Sequence, residues 1–260
     1  MKRIIVGIVF LYSVMTQAVV IIGHRGAAGY APENTLASFA KAIECNVDMI
    51  EFDVWKCASG ELVVFHDAKV DRLTNGHGYI AEQTLDELKK LRVLGREQIP
   101  TLLEVLDFVN HRVKIYIELK GDNIAHDVAK IIEDYVEHKG WHYDDFLVAS
   151  FDHIQLYDIN KSANGLIAVA ALFYGIPINF ATCVKDINPQ VVCLSVDFIN
   201  QCFVNDIHGR GMLVYVYTVN DHDDVIRLLG YGVDGIITDY PDYISTSFAS
   251  KLALFFNSSW

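Results

Sequence analysis

Eight short apolar runs, each followed by a polar or helix-like stretch, constrain this chain more than any other feature of it. They lie at 19–23, 48–54, 113–119, 146–150, 166–172, 191–196, 212–218 and 235–238, and most are rich in Val, Ile, Phe or Tyr, the residues that favour strands. Amphipathic segments at 34–45, 124–138, 154–161 and 221–229 fall between them, with helix N-caps expected at Asn34, Asp152 and Asp221. Strand–helix alternation builds parallel sheets. Eight units in about 240 residues predict an α/β fold, a TIM (β/α)8 barrel. A doubly wound sheet would place a glycine fingerprint after its first strand, whereas this chain has Gly23-His24-Arg25-Gly26 there and no Walker A sequence anywhere.

The rhythm breaks once. The segment 57–112 is too long for a simple loop and helix, and predicts a small insertion after strand 2 on the C-terminal face of the barrel. It contains a strand-like run at 61–65, the turn-rich Thr74-Asn75-Gly76-His77-Gly78, and helical stretches at 85–91 and 102–110. No linker or repeat divides the rest, so 19–260 reads as a single domain.

Charge and cysteine usage exclude several function classes. Lys and Arg number 21 against 33 Asp and Glu, a formal charge of −12. Such a surface repels phosphate backbones, so nucleic acid is not an expected partner, and an anionic substrate needs a local cation, an Arg or a Lys. The five cysteines form no C-x-x-C pair, which excludes zinc-ribbon and thioredoxin readings, and the odd count leaves at least one thiol unpaired within the chain.

The start of the chain carries an address. Met1-Lys2-Arg3 is basic, the stretch to Met15 is uncharged and mostly apolar, and Ala18 is small, the pattern of a secretory signal peptide over 1–18. The uncharged run continues to Gly23, which keeps a membrane anchor as the alternative and a cytoplasmic start as the third reading. If 19–22 is a barrel strand, about 12 apolar residues remain, too few to span a bilayer. Export to the periplasm or medium, with no stable membrane span after cleavage, is therefore the expectation. At the other end Phe248, Leu252 and Phe255 have helical spacing and predict a helix closing the bottom or outer ring of the barrel.

Strand periodicity selects the chemistry. Residues i and i+2 of a strand face the same side, so Glu51 and Asp53 point one way at the end of the second strand, and Glu118 and Lys120 share a face at the end of the third. Barrel active sites sit at those ends. Three carboxylates there repel one another unless a cation neutralises them. A divalent ion does so, and oxygen ligands select Mg²⁺ or Ca²⁺ over zinc; the alternative is a salt-bridged mouth with Lys120 as counter-ion. His24 follows the first strand and His66 the inserted one, and two imidazoles beside a cation suit general base and general acid. Arg25 offers a planar fork for phosphate and Lys120 a point charge. His111, His138 and His142 read as solvated.

These segments together resemble the glycerophosphodiester phosphodiesterases of compact bacterial type. The likeness runs through Ile22-Gly23-His24-Arg25-Gly26, Ala31-Pro32-Glu33-Asn34-Thr35, Ile50-Glu51-Phe52-Asp53-Val54, Val64-Phe65-His66-Asp67 and Arg72-Leu73-Thr74-Asn75-Gly76. It continues through Ile117-Glu118-Leu119-Lys120, Tyr217-Thr218-Val219-Asn220 and Ile237-Thr238-Asp239-Tyr240-Pro241, in one order from Val19 to about Tyr243. The resemblance implies a barrel whose inserted segment supplies the second histidine. It implies Mg²⁺ or Ca²⁺ on Glu51, Asp53 and Glu118, His24 as base, His66 as acid, and Arg25 and Lys120 on the phosphate. Asn34 either supports the metal ligands or caps the first helix. Tyr217 stands where the family often has tryptophan, and lines the alcohol pocket or the barrel core.

The implied substrate is a small glycerophosphodiester such as glycerophosphocholine or glycerophosphoethanolamine, cleaved to glycerol 3-phosphate and the free alcohol. The nucleophile is the 2-hydroxyl of the substrate or a water. Two other classes remain: a phospholipase of the sphingomyelinase D or lysophospholipase D kind, and a non-catalytic phosphodiester-binding barrel. A two-carboxylate glycosidase is poorly served by Glu51 and Asp53, which sit on one strand rather than on opposite sides of a sugar bond.

Overall fold

Residues 19–244 are described by a computed structural model, and their strands pair into a closed parallel barrel. The strands are β1 (Val20–Gly23), β2 (Met49–Lys56), β3 (Leu62–Val64), β4 (Lys114–Leu119), β5 (Phe146–Ser150), β6 (Ala168–Phe173), β7 (Val191–Ser195), β8 (Leu213–Tyr217) and β9 (Gly235–Thr238). The helices are α1 (Leu36–Glu44), α2 (Leu85–Leu88), α3 (Leu102–Val109), α4 (Ala125–His138), α5 (His153–Ser162), α6 (Gln201–Gly209) and α7 (His222–Tyr231). Sheet order β1-β9-β8-β7-β6-β5-β4-β2, with β1 also paired to β2, closes eight parallel strands into the expected TIM barrel. β3 stands outside this ring, antiparallel to the far end of β2.

Strand alternation divides the buried side chains into two cores. One face of each strand fills the interior with Ile22, Met49, Tyr116, Leu147, Ala170, Cys193, Tyr215 and Ile237. The other packs Phe52, Ile115, Val148, Val169, Val192 and Val214 against the helices, where Phe39, Leu106, Val128, Leu156, Phe203 and Leu228 meet them. Among the described residues no helix is long and apolar enough to cross a membrane. The 1–18 segment and the 246–260 tail lie outside the described residues.

Of the expected 57–112 insertion, only part stands apart. Cys57, Val63, Phe65, Val70, Ile80, Leu88, Val93 and Ile99 form a small core of their own. The buried face of α3, by contrast, belongs to the main core. That helix therefore completes the β2 unit, and the added segment ends near Pro100. Apolar periodicity marks both as helical but does not say which core each face joins.

Two other local readings change. The fifth run begins at Ala168, because Asn164 and Gly165 turn through positive φ and leave Leu166 exposed. Asp152 and Asp221 cap α5 and α7 as expected, but α1 is capped by Thr35, whose hydroxyl accepts from the Ser38 amide. Asn34 adopts φ 57° and turns its amide away from the helix, into the barrel.

Candidate active site

Register brings the acidic residues together. In the β2–β4 pairing Asp53 lies opposite Glu118 and Glu51 opposite Tyr116, all on inward-facing positions. One carboxylate oxygen from each of Glu51, Asp53 and Glu118 falls within 4.8 Å of the others. Glu51 accepts from the Arg25 amide at 2.7 Å, Asp53 from the Asn34 side-chain amide at 2.8 Å, and Glu118 from Lys120 Nζ at 2.9 Å. Asn34 thus supports the carboxylate cluster rather than capping α1.

The cluster is under electrostatic stress. Burial, then Asp53 and Glu118, push the Glu51 carboxyl well above its ordinary range. Burial and Asp53 lift Glu118 to about 7, although Lys120 pulls the other way. Arg25 and Lys120 hold their protons more tightly than usual: burial opposes their charge, but Asp53 with Glu33, and Glu118 with Asp53, outweigh it. Two cations therefore leave three buried carboxylates under-neutralised, and the salt-bridged mouth does not balance by itself. An all-oxygen donor set under this strain fits a hard divalent cation.

The same stress sets how stability varies with pH. The folded Glu118 carboxyl titrates near 7 rather than 4.5. Between those values the folded state binds more protons than the unfolded one, so the contribution of this group is full below pH 4.5 and is lost as pH rises through 7. Glu51 acts in the same sense, and His66, lowered by burial, acts weakly against it. The cation-free protein is expected to melt lower at pH 8 than at pH 5, by about 5–10 °C for a loss on the order of 3 kcal/mol. Saturating Mg²⁺ or Ca²⁺ should remove most of the difference in scanning calorimetry; a flat cation-free profile would contradict the account.

The histidines approach from opposite sides. His24 directly follows β1, where the chain bends sharply: a Cβ on Gly23 would lie 2.2 Å from the Gly26 carbonyl oxygen, and Gly26 has φ 91°. His24 Nδ1 donates to Asp239 at 2.7 Å, which leaves the Nε2 lone pair to accept from Arg25 Nε at 3.2 Å. Asp239 in turn accepts from the Asn220 amide at 2.6 Å. His66 is placed by the added segment; Trp55 Nε1 donates to its carbonyl at 3.1 Å, and its own Nδ1 donates to Asp67 at 2.6 Å. Arg72 bridges Asp67 and Glu33, and Glu33 holds the guanidinium of Arg25 at 2.7 Å. Arg72, helped by His66, brings the Asp67 carboxyl down to about 2 against burial. Burial lowers His66 below its ordinary value, with Arg25 and Lys120 adding to it.

The motifs contain Glu33, Asp67, Arg72, Asn220 and Asp239, but spacing along the chain assigns these residues no role. Carboxylates next to His66 and at the end of the last strand were the only signals. Tyr217 lines the cleft beside the carboxylates, half-buried, with its hydroxyl donating to the Phe173 carbonyl at 2.8 Å and its ring edge-on to Phe151 at 6.0 Å. It lines the cleft and also packs against the inner core of the barrel. A larger hollow of about 300 Å³ lies outside the barrel between α4 and α5 and contains no member of this cluster.

Known proteins resemble this chain over most of its length. The model of the glycerophosphoryl diester phosphodiesterase family matches residues 24–243. A glycerophosphodiester phosphodiesterase of Bacillus subtilis is 33% identical over 245 residues, covering 85% of this chain and 83% of that protein. One from Caldanaerobacter subterraneus is 32% identical over 239 residues, covering 85% and 94%. Among solved structures, an Oleispira antarctica phosphodiesterase in complex with the product sn-glycerol-3-phosphate superposes with a TM-score of 0.81 at 30% identity, over 88% of this chain and 96% of that one.

Proposed function

The chain belongs to the glycerophosphoryl diester phosphodiesterase family, and we infer that it hydrolyses small glycerophosphodiesters to sn-glycerol 3-phosphate and the free alcohol with Glu51, Asp53 and Glu118 as the seat of its cation. It is a phosphoric diester hydrolase; the family generally depends on a divalent metal, and Glu51, Asp53 and Glu118 form an acidic cluster able to hold one. One observation carries the residue assignment: three carboxylate oxygens within 4.8 Å, two of the side chains almost fully buried, flanked by His24 and His66. Mg²⁺ or Ca²⁺ is the ion this oxygen set selects. When bound, it neutralises charge growing on the phosphoryl oxygens and lowers the pKa of a nearby hydroxyl.

The remaining work falls to the chain's own groups. Arg25 and Lys120, held charged by their acidic neighbours, draw the substrate phosphate into the cleft and orient it. His24 accepts the proton of the attacking group: a water yields glycerol 3-phosphate directly, whereas the 2-hydroxyl of the substrate yields a cyclic phosphate that a water then opens. Asp239 holds its Nδ1–H and so keeps Nε2 as the basic atom. His66, steered by Asp67 and the Arg72–Glu33 bridge, delivers a proton to the departing alcohol. Tyr217 and Phe151 wall the alcohol side. Export is part of the same reading and rests on the basic, apolar and small-residue pattern of 1–18.

A second reading has one observation in its favour. Phe151, Tyr174, Ile176, Ile178 and Phe198, on the loops after β5, β6 and β7, are exposed large apolar side chains on the barrel face that carries the site. Tyr174 and Phe198 touch edge-on at 4.9 Å. Such an arc suits the acyl chain of a lysophospholipid. One assay separates the readings. Purified protein with glycerophosphocholine and glycerophosphoethanolamine is expected to release glycerol 3-phosphate, to stop with chelator and to recover with Mg²⁺ or Ca²⁺. Faster turnover of lysophosphatidylcholine would favour the second reading. Activity that survives chelation would refute the role of the cation, and no turnover of any diester would leave a binding barrel.

A further inference from the structure

The mouth of the barrel has two unlike halves. The charged half lies over β1, β2 and β4, which are neighbours in the ring and carry His24, the three carboxylates and Lys120. The half over β5, β6, β7 and β8 is aromatic. Tyr217 ends β8 and reaches past β7 to the last residue of β6: its hydroxyl donates to the Phe173 carbonyl at 2.8 Å and so ends one residue from Tyr174. The Tyr217 ring meets Phe151, which follows β5, edge-on at 6.0 Å. Tyr174 is braced edge-on by Phe198 at 4.9 Å. Phe151 and Tyr217 line the same cleft as Glu51, Glu118 and His24, so the two halves are continuous.

Charge is divided between the halves as well. The segments 150–153, 173–180, 195–200 and 217–221 contain no Lys or Arg but three aspartates, Asp152, Asp197 and Asp221. Asp152 and Asp221 cap helices, and Asp197 is exposed next to Phe198. A headgroup that carries a carboxylate finds no cationic partner on these loops. A primary ammonium is strongly hydrated and needs hydrogen-bond acceptors in place of its water. A quaternary ammonium has no N–H to satisfy and is held by the faces of aromatic rings within about 6 Å. Lys120 Nζ lies over the Phe151 ring, 5.9 Å from its centre, so a phosphate-binding cation and the aromatic wall stand side by side. In a choline ester the ammonium follows the phosphate ester oxygen after only two carbons, which matches that adjacency.

We propose that Phe151, Tyr174 and Tyr217 form a three-sided aromatic box for the quaternary ammonium of choline, which makes glycerophosphocholine the preferred diester. This rests on the diesterase reading above and adds the headgroup to it. The box holds the departing alcohol, not the reacting atoms, and it selects by charge and by the absence of N–H groups together. Phe198 acts from behind by holding the Tyr174 ring, and the bond to the Phe173 carbonyl holds the Tyr217 ring.

The test compares kcat/KM of the full chain for glycerophosphocholine, glycerophosphoethanolamine and the 3,3-dimethylbutyl ester of glycerol 3-phosphate. In the last of these, carbon replaces the choline nitrogen and keeps its shape without its charge. Wild type is expected to favour the choline ester about tenfold over each of the others. Tyr174→Leu and Phe151→Leu are each expected to lower the choline-to-dimethylbutyl ratio about threefold, and Tyr174→Phe, which keeps the ring, to retain it. Each ratio is read within one preparation, so a loss of folded protein cancels. Equal turnover of the choline and dimethylbutyl esters by wild type overturns the box and leaves a merely apolar wall. An unchanged ratio in either leucine variant overturns it too, as does a lost preference in Tyr174→Phe, which would put the hydroxyl rather than the ring against the headgroup. If wild type turns over no diester, the hydrolase reading itself falls and the box with it.

Discussion

Glu51→Gln is expected to lower turnover of glycerophosphocholine by about three orders of magnitude, equivalent to ~4 kcal/mol of transition-state stabilisation, and to make the cation-free protein more stable. Both halves follow from one geometry. Glu51 is 4% exposed, faces Asp53 and Glu118, and is pushed far from its ordinary ionisation by burial and by those two neighbours. Glutamine keeps the shape and can still accept from the Arg25 amide, the 2.7 Å bond that ties the loop after β1 to the second strand. It removes one negative charge from a buried set that only a cation balances. A residue kept for the fold would lose stability when neutralised, and one kept for a bound ion gains it. Melting curves with and without Mg²⁺, read beside kcat, check this. A variant that unfolds, or one that retains wild-type turnover, would remove Glu51 from the cation site.

His66→Ala is expected to cost about 10²–10⁴-fold with glycerophosphocholine, the range of general acid–base catalysis, and tenfold or less with a p-nitrophenyl phosphodiester of glycerol. The nitrophenolate leaves without help, so an enzyme missing only its acid is rescued by that substrate. His24→Ala is expected to lose activity on both, because a missing base is not replaced by a better leaving group. The placement of the two rings sets these roles. His24 carries Asp239 on Nδ1 and presents Nε2 to the cleft side of Arg25. His66 arrives on the added segment, with Asp67 fixed by Arg72 and Glu33 behind it. Rescue of His24→Ala instead of His66→Ala would exchange the two roles. Rescue of neither would place both histidines in substrate binding rather than proton transfer.

Much of this site is readable from local pattern. The i, i+2 rule alone puts Glu51 beside Asp53 and Glu118 beside Lys120, because strand geometry repeats every two residues. The Gly23 and Gly26 bend announces itself for a similar reason, since few other residues tolerate the conformation. Asn34 is ambiguous in the sequence, as asparagine both caps helices and adopts positive φ; the neighbouring Thr35 is an equally good cap and takes that role. The added segment is visible as excess length, yet its boundary is not. The periodicity of α3 is satisfied by either core, and only packing shows that it joins the barrel.

What lies beyond the sequence is everything that depends on how distant strands align. Asp53 meets Glu118 because β2 and β4 pair in one register, and a shift by one residue would turn Glu118 out of the barrel. Asp239 reaches His24 only because β9 pairs with β1 and closes the ring. Arg72 reaches Glu33 across 39 residues of chain. The linear order of residues carries short-range information, namely which side chains share a strand face, where helices begin and where the backbone turns. Charge balance is a property of the closed barrel, since it arises from burial and from contacts made across it. The identity of the acidic residues is therefore written along the chain, whereas their electrostatic strain, and with it the argument for a cation, exists only in three dimensions.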